Sequence, residues 1–91
     1  MFEWDWNNLR KIQAHGIGRE EVEPALQNDP IAIYEQDLPE ELRFLYYGET
    51  GRGRLMAVVF TERLESIRVV TAYDLDAGQK QDYLRRRLQG E

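Results

Sequence analysis

Residues 43–73 read RFLYYGETGRGRLMAVVFTERLESIRVVTAY, and this stretch decides the fold. Apolar runs rich in aromatic and β-branched residues are separated by a glycine-rich loop at 49–53 and a short connection at 63–65. Runs joined so tightly predict three antiparallel strands in succession. The stretch also carries five arginines, at positions 43, 52, 54, 63 and 68. Because the guanidinium fork matches phosphate oxygens, the sheet is predicted to bind phosphate.

The N-terminal segment predicts a short strand followed by a helix. Residues 2–4 alternate apolar and polar side chains, as a strand does. Asp5 is a favourable N-cap for a helix that runs to about Ala14, and Gly16 can adopt the left-handed conformation that ends it. The expected buried side of this helix consists of Trp6, Leu9 and Ile12.

A second helix and a fourth strand lie between this segment and the arginine-bearing stretch. The helix is expected from Arg19 to about Gln27, and Pro24 inside it indicates a bend or a late start. Residues 31–34 are apolar and predict a strand.

A final helix completes an α+β fold. It is expected to run to about Leu88, capped by Asp74 or Asp76. The predicted order is β-α-α-β-β-β-β-α, in a single domain over residues 1–91. Two N-terminal helices and the C-terminal helix are therefore predicted to pack on an antiparallel β-meander.

Alternation along the three strands assigns side chains to two faces, provided that both hairpins close with odd-numbered loops. One face would hold Phe44, Tyr46, Arg54, Met56, Val58, Phe60, Glu62, Arg68 and Val70. The other would hold Arg43, Leu45, Tyr47, Leu55, Val59, Ile67, Val69, Thr71 and Tyr73. Both faces are apolar in the middle, so both are expected to be covered, and Glu62 is expected close enough to Arg68 to form an ion pair.

The composition excludes several classes of protein. The chain has no cysteine, so no disulfide framework or thiolate metal site is expected. No signal peptide and no apolar run of membrane-spanning length is present, which predicts a cytoplasmic protein. The net charge of −5 argues against broad, non-specific binding to nucleic acid. Residues 1–40 hold three Lys/Arg and nine Asp/Glu (3 − 9 = −6), whereas residues 41–91 hold nine and eight (9 − 8 = +1).

Short motifs follow one another along nearly the whole chain. In order they are FEWD at 2–5, HGI at 15–17, EE at 20–21, DP at 29–30, RF at 43–44, GxTxxGRL at 48–55, VVFTER at 58–63 and IRVVTA at 67–72. No single motif is diagnostic, but the ordered set resembles the BrnT-type toxins of bacterial type II toxin–antitoxin modules.

This resemblance implies a fold, an activity and a partner. The fold would be like that of RelE-type ribonucleases. The activity would be endonucleolytic cleavage of RNA without a metal or other cofactor. The partner would be a cognate antitoxin encoded beside the toxin, usually a ribbon-helix-helix DNA-binding protein, so contact with DNA would be indirect and no membrane is involved.

The chain departs from the family pattern in three places. The segment between Asp5 and His15 is one residue shorter, and Ala14 stands where the family has a lysine. Tyr73 replaces an arginine at the end of its strand, and Gln79 replaces a glutamate on the last helix. Because a ribonuclease can use both of the replaced groups, a weakened or inactive module that only pairs with an antitoxin is the alternative.

A metal-free ribonuclease needs a base for the 2′-hydroxyl proton, cations for the phosphate and an acid for the leaving oxygen. Arg43, Arg54 and Arg68 are predicted to serve the phosphate. His15 is the only histidine, and histidine is the residue type that ordinarily titrates near neutrality. Its position just before Gly16 favours another role for the ring, in which it caps the helix by bonding the last carbonyls.

The remaining candidates have competing interpretations. Glu62 is a possible base that an ion pair with Arg68 would weaken. Tyr73 is predicted to stack on a base or donate a proton, although strand-terminal aromatics commonly belong to the core. Contacts to RNA are predicted from Arg52, Arg63, Lys80 and Tyr83. Arg43 alternatively pairs with Glu41 or Glu65, and a structural protein that dimerises through a sheet edge is a third possibility for the whole chain.

Overall fold

Five strands form one mixed sheet in the computed structural model, which describes residues 1–90. The elements are β1 (Phe2–Glu3), α1 (Trp6–Gln13), α2 (Arg19–Gln27), β2 (Ile31–Asp37), β3 (Leu42–Glu49), β4 (Leu55–Arg63), β5 (Ser66–Asp74) and α3 (Ala77–Leu88). The spatial order is β1-β5-β4-β3-β2. The predicted α+β class and element order are confirmed. The purely antiparallel sheet is wrong, because β1 pairs with β5 in parallel.

Helix α1 begins and ends as predicted but faces the sheet differently. The Asp5 carboxylate accepts from the backbone amides of Asn7 and Asn8, and Gly16 ends the helix with φ of 70°. Trp6, predicted to be buried, is 71% exposed, whereas Asn8 is only 2% exposed. Asn8 Nδ2 donates to the carbonyls of Glu3 and Val69, at 2.9 and 3.1 Å. These bonds fix the rotation of the helix about its axis. Asn8 and Ile12, which lies one turn later, therefore face the sheet.

Helix α2 packs against β3 at Gly48, a residue without a side chain. The helix begins at Arg19, so the expected late start is wrong, and Pro24 lies within it. A Cβ built on Gly48 would lie 2.5 Å from the Ala25 carbonyl oxygen. The glycine of the GxTxxGRL motif therefore allows the helix backbone to approach the sheet.

Two apolar cores cover the two faces of the sheet, as predicted. The first lies under α1 and α2 and contains Ile12, Ile17, Val22, Ala25, Met56, Val58, Phe60, Val69 and Ala72. The second lies under α3 and contains Ile31, Leu45, Tyr47, Ala57, Leu75 and Tyr83. Among the helices of residues 1–90, none is both long and apolar enough to span a bilayer.

A β-bulge in β5 changes the predicted assignment of faces. Strands β3 and β4 pair in the predicted register, but the register of β4 with β5 shifts between Val59 and Phe60. Arg68 consequently lies opposite Thr61, whereas Glu62 lies opposite Ile67. An extra residue in one strand moves every following side chain to the other face. The predicted Glu62–Arg68 ion pair is therefore wrong.

Candidate active site

The side chains predicted to act on RNA divide between the two ends of the sheet. His15, Arg52, Arg54, Tyr73 and Lys80 lie at the end where β5 leads into α3. Arg43, Arg63 and Arg68 lie at the opposite end and share a cleft there. Tyr73 lies opposite Ala57 and Arg68 lies opposite Thr61, four positions along β4, which corresponds to about 13 Å of strand. A single cluster that joins Arg43, Arg54 and Arg68 is therefore wrong.

Arg54 is held by four hydrogen bonds. Its Nε and Nη2 donate to the two oxygens of Asp74, at 2.7 and 3.1 Å. Its Nη1 donates to Glu21 Oε2 at 2.9 Å and to the Gly16 carbonyl at 3.1 Å. Asp74 and then Glu21 raise the pKa of Arg54, and Arg54 in turn lowers the pKa of Asp74. The guanidinium thus ties β4 and β5 to the start of α2, and a phosphate would have to displace these carboxylates to bind it.

The glycine-rich loop before Arg54 is a hairpin connection, as predicted. The Thr50 hydroxyl accepts from the backbone amides of Arg52 and Arg54, at 3.3 and 3.1 Å. Gly53 has φ of 85°, a conformation that favours glycine. The loop leaves the Arg52 side chain exposed, while its last residue, Arg54, forms the ion pairs described above.

His15 and Tyr73 meet at the edge of the sheet. Their ring centroids are 6.1 Å apart, and the rings are tilted by 51°. Within residues 1–90 the His15 ring makes no hydrogen bond, and the Gly16 carbonyl is bonded by Arg54 instead. The predicted capping role of the imidazole is therefore wrong.

Asp74 and Lys80 stand close to these two rings. After the dominant contribution of Arg54, the charges of Lys80 and His15 also help to lower the pKa of Asp74. Lys80 and Asp74 line one side of a depression of about 290 Å³. We call His15, Tyr73, Asp74 and Lys80 the His15–Tyr73 site. It combines an imidazole, a phenol and an ammonium group on an accessible edge, which is a set able to move protons and bind an anion.

The cleft at the other end has a volume of about 390 Å³ and is lined mainly by charged side chains. Its cations are Lys11, Arg43, Arg63 and Arg68, and we call it the arginine cleft. Arg43 Nε donates to Glu41 at 2.7 Å, which confirms one of the two predicted ion pairs of that arginine. Arg63 Nη1 lies 3.4 Å from Glu3.

Arg68 is the most deeply placed cation of the arginine cleft, with a side chain that is 17% exposed. Its Nη1 lies 2.8 Å from Asp5 and 3.3 Å from Glu3. The bond to Asp5 raises the pKa of Arg68 and lowers the pKa of Asp5. The FEWD and IRVVTA motifs therefore meet in one ion-pair cluster that joins β5 to the start of α1.

Two predicted site residues fall outside both groups. Tyr83 is 3% exposed, its hydroxyl donates to Glu49 at 2.9 Å, and it accepts from Arg87 Nε at 3.1 Å. Burial raises the pKa of Tyr83. The predicted contact of this ring with RNA is wrong, because the ring belongs to the second core. Glu62 is exposed and points away from Arg68.

Several residues of these sites were not predicted as site residues from the sequence. Lys11 lines the arginine cleft, Asp74 binds Arg54, and Asn8 ties α1 to β5. Only Asn8 had a usable signal, since it stands three residues after the N-cap Asp5, where a side chain can complete a capping box. Among residues 1–90, no group of three or more His, Cys, Asp or Glu side chains is arranged to hold a metal ion.

Comparison with known protein families gives a match over most of the chain. A family model described as "Ribonuclease toxin, BrnT, of type II toxin-antitoxin system" matches residues 4–78. The matched region includes the whole of the arginine cleft and three of the four residues of the His15–Tyr73 site. A comparison with curated proteins gave no match.

Proposed function

Because this chain belongs to the BrnT family of ribonuclease toxins of type II toxin–antitoxin systems, we propose that it is a metal-independent endoribonuclease that acts at the His15–Tyr73 site. The observation that carries this assignment is the exposed His15 ring. It lies 6.1 Å from the Tyr73 ring, and it makes no hydrogen bond within the described chain. By contrast, the three arginines predicted to serve the phosphate, Arg43, Arg54 and Arg68, are bound to carboxylates.

The proposed reaction is an internal transfer of the phosphate. The neutral imidazole of His15 accepts the proton of the 2′-hydroxyl, and the 2′-oxygen forms a bond to phosphorus. The bond from phosphorus to the 5′-oxygen breaks, and the phenol of Tyr73 gives that oxygen a proton. The products carry a 2′,3′-cyclic phosphate and a 5′-hydroxyl. Positioned acid and base groups typically contribute factors of about 10²–10⁴ in rate.

Side-chain cations would stabilise the charge that builds up on the phosphate. Lys80 belongs to the site, and Arg52 projects from the neighbouring hairpin loop. Fixed cations aimed at developing charge lower the barrier without reorganisation. This arrangement supports the metal-independent part of the proposal.

Helix α3 carries the surface that we propose binds a neutralising antitoxin. Helix α3 exposes Leu84 and Leu88, which are 56% and 88% exposed and lie one turn apart on one side of the helix. Exposed apolar side chains grouped in this way are typical of a protein-binding surface. We propose that a ribbon-helix-helix antitoxin covers this side of α3, that DNA is contacted only through the antitoxin, and that the toxin acts on RNA in the cytoplasm.

A second candidate function is a non-enzymatic module that only binds an antitoxin. It is favoured by Gln79, whose side chain accepts from the Asp76 amide at 3.0 Å and so serves the capping of α3. The family glutamate at this position is thus replaced by a residue with a structural role. Tyr73 in place of the family arginine removes a second polar group.

Cleavage of total RNA in the presence of EDTA separates the two candidates. We expect cleavage by the purified protein, a loss of at least about 100-fold in His15→Gln, and no change in Arg19→Gln, whose arginine is exposed and does not belong to the site. No cleavage by the unaltered protein, together with a stable complex with the product of the neighbouring gene, would establish the non-enzymatic module. Cleavage that EDTA abolishes would refute metal independence.

A further inference from the structure

We propose that the arginine cleft binds a backbone phosphate of the same RNA strand that is cut at the His15–Tyr73 site. This inference rests on the proposed function, because it assumes that the strand passes that site. It adds a substrate class: a single-stranded RNA long enough to reach from one end of the sheet to the other.

The register of the sheet assembles the arginine cleft. Arg43 lies opposite Thr61 and Thr61 lies opposite Arg68, so these three residues form a row across β3, β4 and β5. Arg63 follows Thr61 by two positions on β4 and therefore projects from the same face. The β-bulge is what brings Arg68 into this row, since without it Arg68 would project from the other face.

The guanidinium groups keep donors that can bind a phosphate. Carboxylates bind Arg43 through Nε, and they bind Arg63 and Arg68 through Nη1. Within residues 1–90, the other guanidinium nitrogens of these three arginines have no hydrogen-bond partner. The carboxylates thus orient the three guanidinium groups and leave some N–H donors of each group free. A phosphate accepts well from such planar donors.

Helix α1 provides a path between the two sites. Asn7 and Lys11 are four residues apart, so they lie on one side of α1, and His15 follows two residues after the helix ends at Gln13. Asn7 and Lys11 line the arginine cleft, and His15 meets Tyr73 at the other end. Lys11 has no ion pair within the described chain, which leaves a free cation on the part of the cleft that α1 contributes.

The pairing of β4 with β5 shows that residues of the two sites project from one face of the sheet. Ala57 pairs with Tyr73, and Thr61 pairs with Arg68. Ala57 and Thr61 are four positions apart on β4, and residues an even number of positions apart on a strand project from the same face. Tyr73 and Arg68 therefore project from the same face of the sheet, about 13 Å apart along the strand. This span exceeds the reach of a single nucleotide, so the two sites would contact different nucleotides of one strand.

The test measures how salt weakens the binding of a 2′-O-methylated RNA strand. The methyl group removes the 2′-hydroxyl nucleophile, so binding is measured without cleavage. For single strands, each phosphate neutralised by a cation contributes about 0.7 to the slope of log affinity against log salt. We expect Lys11→Gln and Arg43→Gln each to lower the magnitude of this slope by about 0.7. Arg10→Gln removes an exposed cation of the same helix that does not line the cleft, and we expect it to leave the slope unchanged.

The outcomes distinguish this inference from the proposed function. Equal slopes in Lys11→Gln, Arg43→Gln and the unaltered protein would overturn the arginine cleft as a phosphate site, even if RNA is cleaved. Absence of RNA binding by the unaltered protein would overturn it as well. Lower slopes in the two variants without any cleavage of unmodified RNA would retain the cleft and reject the ribonuclease.

Discussion

Arg54 shows how a motif residue that suits a phosphate can serve the fold instead. Its guanidinium joins Asp74, Glu21 and the Gly16 carbonyl, which belong to three different parts of the chain. Arg68 has a similar place between Asp5 and Glu3, but it keeps free donors toward a cleft. At the scale of the residue, the partners of each arginine therefore decide its role, and the residue type alone does not.

The role of Arg54 predicts how stability depends on pH. Arg54 lowers the pKa of Asp74, and it lowers the pKa of Glu21 together with the Gly18 amide, which is the larger cause. The folded state then binds fewer protons than the unfolded state near the ordinary carboxylate pKa of about 4. Stability from these groups is present above that pH and is lost as the pH falls through the lowered pKa values.

We therefore expect Arg54→Gln to be less stable than the unaltered protein at pH 7, and the difference in unfolding free energy to narrow toward pH 3. Urea unfolding at pH 7, 5, 4 and 3 measures this. Arg52→Gln removes an exposed neighbouring arginine and should follow the unaltered protein at every pH. A deficit of Arg54→Gln that stays constant with pH would show that the ion pairs are not its cause.

At the scale of the element, one buried amide sets the position of α1. Asn8 bonds the backbone of β1 and β5, and its Oδ1 accepts from the Asp5 amide at 2.8 Å. These bonds place the helix along the edge of β5, and His15, two residues after the helix ends, meets Tyr73. The candidate site therefore depends on an asparagine that does not belong to it.

Replacement of this asparagine should be costly. In Asn8→Ala the carbonyls of Glu3 and Val69 lose a buried donor, and unsatisfied buried groups cost about 1–3 kcal/mol. Asn7→Ala changes the same residue type at the adjacent exposed position, and we expect a loss within about 0.5 kcal/mol. Urea unfolding of the two variants compares them directly, and equal losses would contradict the role of Asn8.

The caps and turns of these elements could be predicted from the sequence because their causes are local. Asp5 begins α1, Gly16 ends it, and the 49–53 loop reverses the chain, as expected. The exposure of Trp6 could not be predicted, because the bonds of Asn8 to distant strands choose the side of the helix that faces the sheet. The bulge in β5 could not be predicted either. The residues around it are mostly apolar, so the alternation of polar and apolar side chains does not show where the strand changes face.

The candidate site was predictable only as a set of residue types. His15 and Tyr73 were named from the sequence, but their contact depends on how α1 lies along β5. Arg43, Arg63 and Arg68 were named as well, yet their separation from Arg54 depends on strand length and register. Interactions between distant parts of the chain determine these arrangements, and a pattern within a few residues does not report them.

At the scale of the whole molecule, charge is distributed in a way that restricts how RNA can bind. The chain carries a net charge of −5, which disfavours binding over the whole surface. Cations gather instead along α1 and the neighbouring face of the sheet, from the arginine cleft to Lys80. A single strand that follows this line would meet these cations through the donors that their carboxylate partners leave free.

The chemistry of the RNA ends tests the central claim most directly. A synthetic RNA is incubated with the protein in EDTA, and the ends of the products are identified by mass spectrometry. Attack by the 2′-hydroxyl at the His15–Tyr73 site predicts 2′,3′-cyclic phosphate and 5′-hydroxyl ends, which His15→Gln should lose. Products with 3′-hydroxyl and 5′-phosphate ends, or cleavage that persists unchanged in His15→Gln, would contradict the account.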